Sequence, residues 1–337
     1  MSTSNASSSA LSEPSSQVEA QAMTIAVTGA TGFIGSRLCE KLLDTGFKVK
    51  ALYRSNPADG FESRDGIEWV KGQLNDTTAL SALLEGASAL VHCAGVVRGK
   101  NRADFDPVNV MGTWAAINAA STSSTCQRFV QISSLAAREP ELSDYAASKR
   151  AGERLLETSE TTLNWMIVRP PAVYGPGDKE MLPVFKSMVK GLVPVPGAAQ
   201  GRLSLIYVDD LVDAIAKWLQ TDHAKCANAR YEIDDGHEEG YDWNTLLTQA
   251  AEALKKDKPI RRLSIPASVL RLFGYINLAV SRVLGYSPML TPGKVREITH
   301  SDWVCHDNPV FERVTGWQPT TTFKNGLLET LNHSSVT

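Results

Sequence analysis

Apolar positions in the first half of the chain switch repeatedly between short unbroken runs and helical spacing. Ile25-Ala26-Val27 is such a run, and Ile34, Leu38, Leu42 and Leu43 then recur at the period of a helix. The alternation continues. Strands are predicted at Phe47 to Tyr53, Ile67 to Val70, Ala89 to Gly95 and Phe129 to Ile132. Helices are predicted at Thr77 to Leu84, from Asn109 through Ala120, and from Tyr145 to about Leu156. Strands that alternate with helices predict an α/β fold, a doubly wound parallel sheet with its ligand sites at the carboxyl ends of the strands. The Ala89–Gly95 run is apolar throughout and ends in small residues, as a buried parallel strand would. His92 inside it reads as a satisfied core histidine. Beyond Asp178 the pattern is less regular. Helices are predicted at Pro183 to Lys190, Leu211 to Leu219 and Trp243 to Leu254, a short strand at Tyr231-Glu232-Ile233, and a loop at Val193-Pro194-Val195-Pro196-Gly197.

The first strand runs into Thr28-Gly29-Ala30-Thr31-Gly32-Phe33-Ile34-Gly35. A glycine-spaced turn between a strand and a helix suits a dinucleotide: Gly29 for the tight turn, Gly32 for approach to a pyrophosphate, Gly35 for packing of helix on strand. The amides and positive dipole end of the helix then face the phosphates. The second strand ends at Tyr53-Arg54 with no acidic residue at its tip, and Arg37 follows the glycine loop. An arginine there accommodates a 2′-phosphate, so NADP(H) is favoured and NAD(H) is the alternative.

Ser133 and Ser134 lie where the fifth strand should end, and Tyr145-Ala146-Ala147-Ser148-Lys149 opens the next helix. Residues four apart share a helix face. A tyrosine titrates near 10 in water, and a nearby ammonium makes it a usable acid/base. Glycine loop, strand-end serine and Y-x-x-x-K follow in that order. The chain therefore resembles an extended short-chain dehydrogenase/reductase of the NAD-dependent epimerase/dehydratase superfamily. Arg169-Pro170-Pro171-Ala172-Val173-Tyr174-Gly175-Pro176-Gly177, Ile206-Tyr207-Val208-Asp209-Asp210 and Thr315-Gly316-Trp317-Gln318-Pro319 carry the likeness on from about Met23 to near Leu331. The resemblance implies a Rossmann domain at 23–178 and a smaller, mainly substrate-binding domain at 179–333, with a strand at 204–208 returning to the Rossmann core. It implies Tyr145 as acid/base, Lys149 on the nicotinamide ribose and lowering the tyrosine pKa, and Ser134 orienting the substrate oxygen, with Ser133 as runner-up. Gly29, Thr31, Gly32, Phe33, Ile34, Gly35, Arg37, Arg54, Leu74, Ala94, Pro170 and Val173 complete the implied cofactor set. Asn109 supports the site or merely caps a helix. Gln73 stands where many members have an adenine-contacting Asp, and the ten residues between Ser134 and Tyr145 are fewer than in nucleotide-sugar epimerases.

Composition narrows the partners. With 43% hydrophobic and 21% charged residues and a net charge of −3, the chain reads as a core-building cytoplasmic protein and not as a nucleic-acid binder. Five scattered cysteines without C-x-x-C predict neither disulfides nor a metal site. Residues 1–22, Ser- and Ala-rich, predict a disordered tail. No uninterrupted apolar run reaches the length of a bilayer span. Ile265 to Leu284 is apolar around most of its circumference. A buried helix is the favoured expectation, with a lid for a hydrophobic substrate or a surface that touches membrane as alternatives; the stretch, with Leu290 to Arg296, is similar to 3β-hydroxysteroid dehydrogenase-like members. The expected function is hydride transfer between nicotinamide and a carbonyl or secondary alcohol of a small molecule. A nucleotide-sugar epimerase/dehydratase with tightly bound NAD, or a non-catalytic cofactor-binding subunit, are the alternatives. A homodimer is expected by analogy with the family.

Overall fold

The computed structural model of the chain describes residues 23–55, 65–197, 201–226 and 228–336. The expected tail at 1–22 lies outside them. Alternation of strand and helix is as predicted: β1 (Thr24–Thr28), α1 (Phe33–Asp44), β2 (Lys48–Tyr53), β3 (Ile67–Lys71), α2 (Thr77–Leu84), β4 (Ala89–His92), α3 (Arg102–Asn109), α4 (Met111–Thr122), β5 (Arg128–Ile132), α5 (Asp144–Glu157) and β6 (Asn164–Val168). Then come β7 (Ala172–Tyr174), α6 (Leu182–Lys190), β8 (Leu192–Pro196), β9 (Arg202–Leu203), β10 (Leu205–Tyr207), α7 (Val208–Gln220) and β11 (Ala229–Tyr231). The chain closes with α8 (Trp243–Ala253), β12 (Arg261–Ile265), α9 (Ala267–Leu284), α10 (Pro292–Ile298), β13 (Asp302–Trp303), α11 (Asn308–Thr315) and α12 (Phe323–Val336).

Seven strands form one parallel sheet in the order β11-β6-β5-β4-β1-β2-β3. The order reverses between β1 and β4, the crevice where such sheets bind ligands. Both faces are packed. Leu38 and Leu42 of α1 meet Leu211, Ile215 and Trp218 of α7 over Val27 and Val91, while Leu80, Leu83, Ile117 and Leu156 cover Ala26, Leu90 and Phe129 on the other side. A third apolar cluster, around Tyr174, Phe185, Leu246 and Phe323, serves the later elements.

Four expectations change. The returning strand is β11, which pairs with the edge strand β6; β10 pairs with β7 in a separate two-stranded sheet. It is α7, packed on α1, that carries the chain back over the sheet. Residues 192–196 are a strand and not a loop, paired with β12. In a two-stranded ribbon both strands are edges, so Pro194 and Pro196 can sit where no N–H is needed. Asn109 ends a helix, α3, that the pattern did not predict; Asn101 caps α3 through the amide of Ala103, and Pro107 lies inside it. Finally, α9 is not a core helix: only Gly274 and Ser281 are buried in it.

Candidate functional site

The glycine loop is shaped as its sequence requires. Gly29 has φ +69°, and a Cβ there would lie 2.6 Å from the Ala94 amide nitrogen. At Gly35 a Cβ would lie 2.1 Å from the Gly29 carbonyl oxygen. Thus the loop closes on itself and abuts the end of β4. No side chain caps α1, its N-cap is Gly32, and its first turn carries no acid. A helix end without a side chain over it is open to a phosphate. Thr31 and Gly32 are exposed there, Phe33 and Ile34 are half-buried, and Phe33 faces Gly177. The residues present fit a dinucleotide.

Asn109 joins the segment after β4 to the tyrosine helix α5. Its Oδ1 accepts from Val96 N at 2.9 Å, and its Nδ2 donates to Val96 O at 3.0 Å and to Ser148 Oγ at 2.9 Å. Ser148 in turn donates to Tyr145 O at 2.7 Å. A buried amide with these partners orders both segments, so the capping expectation for Asn109 is replaced by a brace.

Of the two serines, Ser134 is the one whose hydroxyl acts on the Tyr145 phenol, pulling its pKa down against burial. Ser133 donates to Glu153 at 2.5 Å, and Glu153 is gripped by Arg169 at 2.6 and 2.8 Å and by Arg150 at 3.0 Å. Burial alone would raise the Glu153 carboxyl; these partners outweigh it and hold it below the usual range. Ser133 is thus a structural anchor, while Ser134 is half-buried and accepts from the Ala136 amide at 3.2 Å.

Lys149, only 8% exposed, donates to Ile132 O at 2.7 Å, and its ammonium lies 3.6 Å from where a Cβ of Gly95 would be. Burial lowers its pKa to about 8, with Glu153 and Cys93 opposing. The expected lowering of Tyr145 by Lys149 is not seen. Burial pushes the phenol above its ordinary value, and the groups that pull it down are Ser134 and Lys294. Lys294 was missed by the sequence reading. It sits on α10, 5.8 Å from the Tyr145 ring centre, and pairs with Glu297 at 2.8 Å. Glu297 accepts from Ser143, the N-cap of the tyrosine helix. His92 is a core residue as expected: its ring nitrogens meet Thr28 at 2.8 Å and Thr113 at 3.2 Å, and burial beside Lys149 lowers it to about 3.

The remaining predicted residues divide. Leu74 packs on Gly112, Pro170 receives the Leu135 amide, and Val173 is half-buried in β7. Arg54 is exposed at the end of β2. Arg37 does not stand free at the loop: it makes a two-pronged contact with Asp209 at 2.8 and 2.6 Å and pairs with Glu40 at 2.7 Å. An acid at the start of α7 has taken the guanidinium, which weakens its candidacy for a 2′-phosphate.

A cavity of about 320 Å³ opens at Tyr145. Phe105, Tyr275, Leu278 and Met289 supply apolar wall; Lys294 and Arg282 supply charge. Among the described residues, no cluster of metal-ligating side chains accompanies it, and all five cysteines are free thiols.

Fold and site together define a nicotinamide-dependent enzyme of the extended short-chain dehydrogenase/reductase type. The model of the NAD dependent epimerase/dehydratase family matches residues 25–233, and the chain belongs to that family. It is 34% identical over 310 residues to a ceramide reductase of Caulobacter vibrioides, covering 92% of each chain. It is 27% identical over 336 residues to a UDP-glucose 4-epimerase of Vibrio cholerae, covering 91% of this chain and 94% of that one. Among solved structures, UDP-glucuronic acid 4-epimerase from Bacillus cereus in complex with NAD superposes with a TM-score of 0.70 at 19% identity, over 93% of this chain and 99% of that one. That likeness speaks for the fold alone.

Proposed function

We propose that the protein is a reductase of a ketone carried on an amphipathic, lipid-like molecule, with the reverse oxidation open to it. The observation that carries this is the cavity at Tyr145, where Phe105, Tyr275, Leu278 and Met289 form an apolar wall beside the charged side chains of Asp144, Arg282, Lys294 and Glu297. An apolar wall next to charged groups suits an amphipathic molecule, with hydrocarbon on the one and a polar end on the other. Similarity to a ceramide reductase over 92% of each chain supports the same substrate class.

A nicotinamide dinucleotide with its pyrophosphate held at the glycine loop would supply the hydride to the carbonyl carbon. Tyr145 gives its phenolic proton to the carbonyl oxygen as that bond forms, and Ser134 holds the oxygen beside it. The phenolate left behind is stabilised by Ser134 and by the positive charge of Lys294, and is reprotonated from water. Lys149 lies at the end of β4 beside Gly95, where it would meet the nicotinamide ribose. Arg54 alone carries the NADP(H) preference into this reading, since Arg37 is occupied by Asp209.

The test is nicotinamide absorbance on the purified protein with four substrates: a long-chain keto lipid in mixed micelles, a short soluble ketone, UDP-glucose and UDP-glucuronic acid. Oxidation of added NADPH or NADH with the keto lipid is the expected result. Co-purified NAD with interconversion of the nucleotide sugars, and no turnover of either ketone, would overturn the reading in favour of an epimerase.

A further inference from the structure

The last third of the chain leaves one apolar element uncovered. Ala267–Leu284 is a single helix with mean hydropathy 1.3, and only 11% of it is buried. At about 100° per residue, its side chains sort into three arcs. Gly274 and Ser281 mark the packed edge: a Cβ on Gly274 would lie 3.1 Å from the backbone of Thr291 and Pro292, and Asn277 donates to Leu290 O at 2.9 Å. Val269, Leu272, Phe273, Ile276, Val280, Val283 and Leu284 share the arc that faces away from the protein; Leu272, Val283 and Leu284 are 60%, 84% and 70% exposed. Arg271 and Arg282 stand together on a third arc, to one side.

Charge is as uneven as polarity. From Lys258 to Arg296 there are seven basic residues (Lys258, Arg261, Arg262, Arg271, Arg282, Lys294, Arg296) and not one Asp or Glu. Lys294 is paired with Glu297 at the cavity, which leaves six of the seven for the surface of a chain whose net charge is −3. An outward apolar arc with arginines at its margin, in a segment purged of acids, is complementary to one kind of surface: hydrocarbon under anionic headgroups. The packed edge on α10, and the wall that Tyr275, Leu278 and Arg282 lend to the Tyr145 cavity, place the helix on a bilayer rather than across it.

We infer that the outward face of α9 docks the protein on an anionic membrane, setting the Tyr145 cavity against the lipid. The docking stands on the surface itself; that substrate reaches the cavity from the bilayer rests on the lipid-ketone reading above.

The full chain would be sedimented with vesicles of phosphatidylcholine alone and of phosphatidylcholine with phosphatidylglycerol. Binding to the anionic vesicles, reversed by salt, is expected. V283E/L284E should weaken it about tenfold or more, and R271E should remove most of the preference for anionic over neutral vesicles. Neither variant should alter the melting temperature or turnover of a short soluble ketone, while V283E/L284E should lose turnover of vesicle-borne keto lipid. A wild-type chain that stays in the supernatant with both vesicles overturns the inference. So does a chain that pairs with a second copy through this face, seen as a dimer that V283E/L284E makes monomeric without any vesicle binding. Absence of ketone turnover with vesicle binding intact would sink the proposed reaction and leave the docking standing.

Discussion

The two walls of the Tyr145 cavity are built on opposite principles. On the sheet side a buried polar network braces the chain: Asn109 ties Val96 to Ser148, Glu153 ties Ser133 to Arg169, and Lys149 rests on the Ile132 carbonyl. On the α9 side the helix turns its largest apolar residues outward. A satisfied buried network fixes positions to within the tolerance of a proton transfer. An uncovered apolar face does the reverse, since it leaves its surface to be buried by something else. One wall is made for chemistry and the other for contact.

The largest break in that contrast is Tyr145→Phe. General acid catalysis contributes about 10²–10⁴-fold, so turnover should fall by that order. Nucleotide binding and melting temperature should hold, because the Phe105 ring, 5.9 Å from that of Tyr145, keeps its neighbour. A variant that retained more than a tenth of wild-type turnover would remove Tyr145 from the proton transfer. Next comes a matched pair of truncations. Leu38→Ala, in the core between α1 and α7, should cost about 2–5 kcal/mol. Leu284→Ala removes the same atoms from the α9 face and should change stability by less than about 0.5 kcal/mol. Equal losses in urea unfolding would mean that α9 is buried in solution and would end the contrast.

How far the sequence discloses this division depends on the kind of signal. The sheet side was legible because its constraints are local: Gly29 and Gly35 have no room for a Cβ, and Tyr145 and Lys149 sit one helical turn apart. Ser134 could not be told from Ser133 by position, since the carboxylate that engages Ser133 is the distant Glu153. Asn109 read as the start of a helix because Pro107 masked the one it ends. Lys294 is invisible to any local pattern; its relation to Tyr145 spans most of the second half of the fold. The strand at 204–208 was assigned to the Rossmann core by resemblance, and a motif does not say which strand it will pair with; it meets β7 outside the main sheet. Arg37 was read for its charge, with Asp209 far along the sequence unseen. As for α9, an all-round apolar helix reads alike whether it faces a core or a membrane.

A smaller effect tests whether the chemical wall stores electrostatic strain. Burial lowers Lys149 to about 8, below its value in an unfolded chain. The unfolded state therefore binds more protons between those two values, and stability rises with pH through that window. Below pH 8 the cost of the buried ammonium is present in full. Lys149→Met should make the unliganded protein about 1 kcal/mol more stable at pH 7, with the advantage shrinking as pH approaches 10, while turnover collapses. Thermal unfolding across that pH range checks it; a variant less stable than wild type at pH 7 would show that the bond to Ile132 outweighs burial.

The smallest effect concerns an exposed ion pair whose acid acts on Tyr145 through its charge. Arg98, just beyond β4, donates to Glu180, ahead of α6, at 3.0 and 2.6 Å, and both side chains are 41% exposed. Exposed pairs of this kind contribute about 0–1 kcal/mol, so neither Arg98→Ala nor Glu180→Gln should move the unfolding midpoint much. Their interest is in the chemistry. The charge of Glu180 is among those that push the Tyr145 phenol up. Removing it should shift the alkaline limb of the turnover profile to lower pH, and Arg98→Ala, which unmasks that charge, should shift it higher. High salt should shrink both shifts, since a pair this open is screened. If the two substitutions move the profile in the same direction, the contact acts by holding the loops together, and the electrostatics of the tyrosine are set wholly by Ser134, Lys294 and the buried wall beneath them.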